Sequence, residues 1–121
     1  MDKHGVLKGL RVIDFGQYIA GPLASMILGD YGADVIHIDP PGGPRWDGYK
    51  ANAVLARGKR NIILDLKDPA DLTIAKKLIS TADIVVENFR PGVMDRLGLG
   101  YEACAAENPT LIYCSLPGFS K

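Results

Sequence analysis

Five short runs rich in β-branched and apolar residues recur along the chain, separated by stretches with helical character, and this alternation limits the folds available. Arg11–Phe15, Asp34–Ile38, Asn61–Leu64, Ile84–Glu87 and Leu111–Ser115 read as strands. Between them, a helix is expected from Pro22, which suits the first helical turn, to Tyr31, with Gly32 as its stop. Asp68-Pro69 opens another helix through Leu78, and shorter ones are expected near Val93–Leu97 and Tyr101–Glu107. Pro40-Pro41-Gly42-Gly43-Pro44 must be a loop. Strands alternating with helical segments of ~10–15 residues mark βαβ units. The expected fold class is therefore α/β: a Rossmann-like parallel sheet with helices on both faces.

Size and charge narrow the function. With 121 residues the chain is one domain or part of one. It stops just beyond the fifth strand without a closing helix, so we expect residues 1–121 to be a piece of a larger domain. Lys and Arg total 14, and so do Asp and Glu, which excludes a generally basic nucleic-acid binder. An anionic ligand would need a local cluster of cations. Cys104 and Cys114 are too few for a disulfide scaffold and lack zinc-ligand spacing; no metal is expected. Met1–Gly5 precedes no apolar signal segment, and Ile19–Gly29 is too short for a membrane span, so a cytoplasmic protein is expected.

In open parallel sheets, ligands sit beyond the carboxyl ends of the strands. Gly16-Gln17-Tyr18-Ile19-Ala20-Gly21 follows the first strand with the glycine spacing of a phosphate loop, but Pro22 and Leu23 stand where that loop needs Lys and Ser or Thr. No dinucleotide fingerprint fits there either, which leaves Asp39 as either a ribose-binding acid or a turn former before Pro40. Arg57-Gly58-Lys59-Arg60 is either a solvated turn or a phosphate clamp. Glu87-Asn88-Phe89-Arg90-Pro91-Gly92 follows the fourth strand, with Arg96 close behind. Asn88 offers an amide, Phe89 a flat face, and the two arginines charge. His4 and His37 have no partner at metal spacing and read as structural. Together these residues suggest a domain that binds a phosphorylated, flat-ringed small molecule.

Taken in order, several segments resemble family III CoA-transferases, the CaiB/BaiF group. They are Leu10–Phe15 with Ile19-Ala20-Gly21-Pro22, Leu28–Ile36, Arg57–Ile62, Leu64-Asp65-Leu66-Lys67, Glu87–Gly92, Asn108-Pro109, and Leu111-Ile112-Tyr113 through Gly118-Phe119. The resemblance runs from Leu7 to the last residues, and acyl-CoA racemases of the same family open similarly. It implies the N-terminal, coenzyme-A-binding part of a large domain, in a longer polypeptide that forms an interlocked homodimer. It implies a transferase that moves CoA from an acyl-CoA to a carboxylic acid through an aspartyl anhydride and an enzyme–CoA thioester.

None of Asp14, Asp39, Asp65 or Asp95 matches the family's nucleophile, so no catalytic residue is expected within this chain, which alone would be inactive. What carries over is contact with CoA. Ile19 and Ala20 match positions lining the cofactor after the first strand, although a formyl-CoA transferase would have Gln in place of Ile19. Leu64 and Lys67 match a segment near the adenosine, as do Asn88, Phe89 and Arg90, and Arg96 matches an arginine near the phosphates. Pro40 stands where an arginine is common, so Arg45 or Arg57 is expected to substitute, with Lys59 in the same basic cluster. Two other expectations remain open: part of an acyl-CoA racemase, or a non-catalytic interaction module.

Overall fold

The computed structural model describes residues 5–42 and 55–117. Strands β1 (Arg11–Asp14), β2 (Asp34–Asp39), β3 (Lys59–Ile63), β4 (Ile84–Glu87) and β5 (Ile112–Ser115) form one sheet in the order β3-β2-β1-β4-β5. All four pairings are parallel. Helix α1 (Ala20–Asp30) connects β1 to β2. Helix α2 (Pro69–Ser80) connects β3 to β4, and α3 (Val93–Arg96) and α4 (Tyr101–Glu107) connect β4 to β5. This is the α/β sheet that the alternating pattern predicts.

The period-two alternation of each strand separates two cores. On one face Ile13, Ile36, Ile38 and Val85 pack with Ala75 and Ile79 of α2, Met94 of α3 and Cys104 of α4. On the other, Val12, Val35 and Val86 pack with Leu28 of α1. Fully burying one such aliphatic side chain contributes about 1.5–3 kcal/mol, so these paired layers hold the sheet and present the strand ends.

Local chemistry sets the element ends. The Asp68 carboxylate caps α2 by accepting from the Ala70 amide at 3.1 Å, and Pro69 takes the first turn, where its missing N–H costs nothing. Helix α1 begins at Ala20, two residues before Pro22, because a proline is tolerated anywhere in the first turn. Strand β3 starts at Lys59 rather than Asn61, since pairing with β2 reaches back to the Val35–Lys59 position. His4, Arg45, Gly118 and Phe119 lie outside the described residues, as does most of the proline-rich loop beyond Gly42.

Candidate functional site

Strand order reverses at β1: the chain moves outward through β2 and β3, then returns to place β4 on the other side of β1. The helices that follow β1 and β4 pack on opposite faces of the sheet, and such a switch point is where sheets of this kind usually hold a ligand crevice.

Two hydrogen bonds close the base of that crevice. The Gln17 amide donates to Asn88 Oδ1 at 2.8 Å, and Asn88 Nδ2 donates to the Gln17 carbonyl at 2.6 Å. Asn88 thus serves the backbone of the facing loop as a strand neighbour would. The Gly16 amide is held at 2.7 Å by Asp14 Oδ1. A Cβ added at Gly16 would lie 2.8 Å from the Gly21 Cα, so the glycine pair lets this loop press directly on the first turn of α1. Tyr18 is forced to φ 62°, a left-handed conformation uncommon outside glycine. Tyr18, Ile19 and Ala20 are exposed at the rim.

After β4, the Phe89 amide donates to Glu87 Oε1 at 3.0 Å, and the Phe89 ring packs partly into the core. Arg90 and Phe89 line a cleft of about 570 Å³ with Glu87, Tyr101, Tyr113 and Ser115. Tyr113 donates to the Leu99 carbonyl, and burial first, then the nearby Glu87 charge, push its phenol well up. The Arg96 guanidinium lies over Gly92, whose φ of 88° favours glycine. Neither Arg90 nor Arg96 makes an ion pair among the described residues, nor does Lys67.

The basic cluster before and within β3 is not a single clamp: alternation points Lys59 and Arg60 to opposite faces, and Arg57 lies in the turn before the strand. Arg57 pairs with Asp30 at 2.7 Å and Arg60 with Asp34 at 2.6 Å, both at the surface. Lys59, with its side chain only 2% exposed, reaches inward to Asp14 at 3.0 Å and to the Pro22 carbonyl at 2.9 Å. Leu64 is likewise buried, within the core, while Lys67 is exposed beyond it. The segment after β3 lies three strand positions from β4, about 14 Å at ~4.8 Å per strand. The structure thus gathers Ile19, Ala20 and Asn88 at the switch point, with Phe89 and Arg90 in the adjoining loop and Arg96 at the end of α3. Leu64 and Lys67 stand apart.

One group escapes sequence reading. Asp14, fully buried, accepts through Oδ2 from Ser25 at 2.5 Å, from His37 Nδ1 at 2.8 Å and from Lys59 at 3.0 Å. His37 Nε2 faces Asp39 Oδ1 at 2.8 Å, and Asn61 donates to Asp39 Oδ2 at 2.8 Å. Asp39 is thus a buried partner of a histidine, not only a turn former. Burial raises the Asp14 carboxyl, but the His37 hydrogen bond and charge, with Lys59 and Ser25, outweigh it and hold it below the ordinary value. Burial lowers His37, yet its bond to Asp14 and the charges of Asp14 and Asp39 drive it above the ordinary histidine value. The available sequence signal is that Asp14, His37, Asp39, Lys59 and Asn61 alternate in phase with Val12 and Val35 on the α1 side of the sheet. Among the described residues no group of three or more His, Cys, Asp or Glu is placed to hold a metal ion, and no helix is long and apolar enough to cross a membrane.

Comparison with known proteins gives a consistent result. Residues 7–121 match the family model of CoA-transferase family III. The chain is 54% identical over 114 residues to the CoA-transferase/lyase DddD of Marinomonas sp. (strain MWYL1), covering 94% of this chain and 14% of that protein. It is 41% identical to the human alpha-methylacyl-CoA racemase, covering 95% of this chain and 29% of that protein. A crystal structure of a CaiB/BaiF family protein from Brucella suis superposes with a TM-score of 0.86 at 36% identity, over 97% of this chain and 34% of the other. The chain therefore spans between 14% and 34% of each of these relatives.

Proposed function

The chain belongs to CoA-transferase family III, and on that premise we propose that it supplies the coenzyme-A-holding crevice of an enzyme that moves CoA from an acyl-CoA to a carboxylic acid. The observation that carries the reading is the β1–β4 switch point, whose two loops are tied by the Gln17–Asn88 pair. Ile19 and Ala20 line one side. Phe89 offers a face to the adenine, and Arg90 and Arg96 are placed to meet phosphates as charge-assisted donors. Lys67, exposed about 14 Å away across the sheet, suits the far part of a long ligand and not a small one, while Leu64, buried in the core, supports that segment from below. Arg57 and Lys59 act indirectly: Arg57 is paired at the surface, and Lys59 supports the Asp14 carboxylate beneath the β1–α1 loop.

In the proposed reaction an aspartate carboxylate outside this chain attacks the thioester carbonyl. The C–S bond breaks, CoA leaves as thiolate, and an aspartyl–acyl anhydride forms. The thiolate then attacks the aspartyl carbonyl and releases the donor acid, leaving an enzyme–CoA thioester. An acceptor carboxylate repeats the sequence in reverse and departs as the new acyl-CoA. The role of this chain is to hold the CoA body still, so that the thiolate stays near the aspartate between steps. We place the enzyme in the cytoplasm as an interlocked homodimer, with no nucleic-acid or membrane partner. By itself the 121-residue chain has no transferase activity in this reading.

Similarity to the racemase favours a second reading, in which the same crevice holds an acyl-CoA whose α-carbon is epimerised. Incubation of the intact protein with a chiral 2-methylacyl-CoA in deuterium oxide separates the two. Exchange of CoA onto an added carboxylate, without deuterium at the α-carbon, supports the transferase; deuterium uptake without exchange supports the racemase. Calorimetric titration tests the site itself: Arg96→Ala should weaken CoA by ~10–100-fold, and dephospho-CoA by less if Arg96 meets the 3′-phosphate. Phe89→Ala should weaken both ligands alike. An unchanged CoA affinity in Arg96→Ala removes that residue from the site.

A further inference from the structure

We propose that Asp14, His37 and Lys59 form a positioning device for the β1–α1 loop, in which a doubly protonated His37 ring, held between Asp14 and Asp39, keeps the Asp14 carboxylate aimed at the Gly16 amide. Its effect on ligand binding rests on the coenzyme A reading above; its effect on the loop does not.

With both carboxylates ionised, the geometry calls for both ring protons. A neutral imidazole has one N–H and one acceptor nitrogen. Here both nitrogens lie 2.8 Å from a carboxylate oxygen, and the other Asp39 oxygen already accepts from Asn61. Between two ionised carboxylates, each ring nitrogen donates. The charges then balance: two carboxylates, one imidazolium and one ammonium, which is the condition under which such a cluster can sit inside a protein. The groups facing the ring are Asp14 from β1, Asp39 from β2, and Lys59 from β3, whose like charge opposes protonation. Helix α1 contributes the uncharged Ser25 hydroxyl, bonded to the same Asp14 oxygen that faces His37. The net upward displacement of His37 agrees with this arrangement.

Asp14 joins this cluster to the loop. One oxygen takes Ser25, His37 and Lys59; the other takes the Gly16 N–H. From Gly16 the chain passes to Gln17, tied to Asn88, then to the left-handed Tyr18 and the exposed Ile19 and Ala20. Loss of the imidazolium charge leaves two buried carboxylates with one ammonium. Asp14 then turns further toward the remaining ammonium of Lys59, and that change weakens its hold on Gly16. None of these residues touches the ligand. They act through the loop.

The test uses the intact protein, labelled with 15N, and the variants His37→Gln and His37→Lys; the lysine keeps a cation with several donors between the two carboxylates. At pH 7 the wild-type ring should show two N–H groups. His37→Gln should lower both hydrogen-exchange protection of the Gly16 amide and CoA affinity by ~10-fold, the scale of one charge-assisted hydrogen bond, and His37→Lys should recover most of each. Wild-type Gly16 protection should fall as pH rises past the ring's titration, while His37→Lys stays flat over that range. A ring with a single N–H at pH 7 overturns the proposal, as does unchanged Gly16 protection in His37→Gln. If His37→Gln fails to fold, the ring spectrum and the wild-type pH profile decide it. Expected ring and Gly16 behaviour without CoA binding would refute the ligand reading and leave the positioning device intact.

Discussion

Replacing Asn88 with alanine removes its two hydrogen bonds to the backbone of Gln17 in the facing loop. They are 2.8 and 2.6 Å long, and Gln17 is only 5% exposed, so water reaches its backbone only when the loop opens. A neutral hydrogen bond contributes about 0.5–1.5 kcal/mol net, and a buried group left without its partner costs about 1–3 kcal/mol. With partial relaxation of an edge loop, Asn88→Ala should cost about 1–3 kcal/mol in the unfolding free energy of the intact protein. Asn88→Asp provides the internal control. It keeps an acceptor for the Gln17 N–H but turns an oxygen toward the Gln17 carbonyl, so it should be no better than alanine. The assay is urea unfolding with an unchanged slope, joined to hydrogen exchange at the Gln17 amide. An Asn88→Ala protein within about 0.5 kcal/mol of wild type, with Gln17 exchanging at its original rate, would refute the clamp, since a loss that small is typical of surface changes.

The three cations of the basic cluster should respond differently. Lys59→Met strips a buried carboxylate of a partner and should cost about 3–5 kcal/mol, whereas Arg57→Met and Arg60→Met remove solvent-screened surface pairs and should cost far less; thermal or urea unfolding of the three variants ranks them. Stability should also be bounded in pH from both sides. The lowered Asp14 contributes stability above the unfolded carboxyl value near ~3.9, lost as pH falls through its folded value, while the raised His37 contributes below ~6.5, lost as pH rises through its folded value. Asp14→Asn should flatten the acid arm and His37→Lys the upper one in a series of urea midpoints. Gly16→Ala should cost about 1–3 kcal/mol by overpacking, because the new Cβ meets the Gly21 backbone at 2.8 Å; a variant with wild-type stability would mean that the loop can move away.

The periodicity of the chain by itself determined the five parallel strands, the α1 to α4 connections and the loops that bear the site, because those features depend on neighbours a few residues apart. Asp68-Pro69 marks the start of α2, and Gly32 follows the end of α1, for the same local reason. Sequence order also carried the family resemblance, which the comparisons bear out. The partners of polar side chains were decided only by the sheet. Arg57, Lys59 and Arg60 read as one cationic patch, yet alternation turns Lys59 inward, and the β3-β2-β1 order lets it reach across β2 to Asp14, 45 positions earlier. The same order sets Asn61, His37 and Asp14 in one register row, which makes a lone histidine the centre of a charge cluster. Asn88 and Gln17, 71 positions apart, meet because β4 returns beside β1. A hydrogen bond is satisfied by whichever group stands about 3 Å away, and that distance is fixed by strand order and register, which no local pattern encodes.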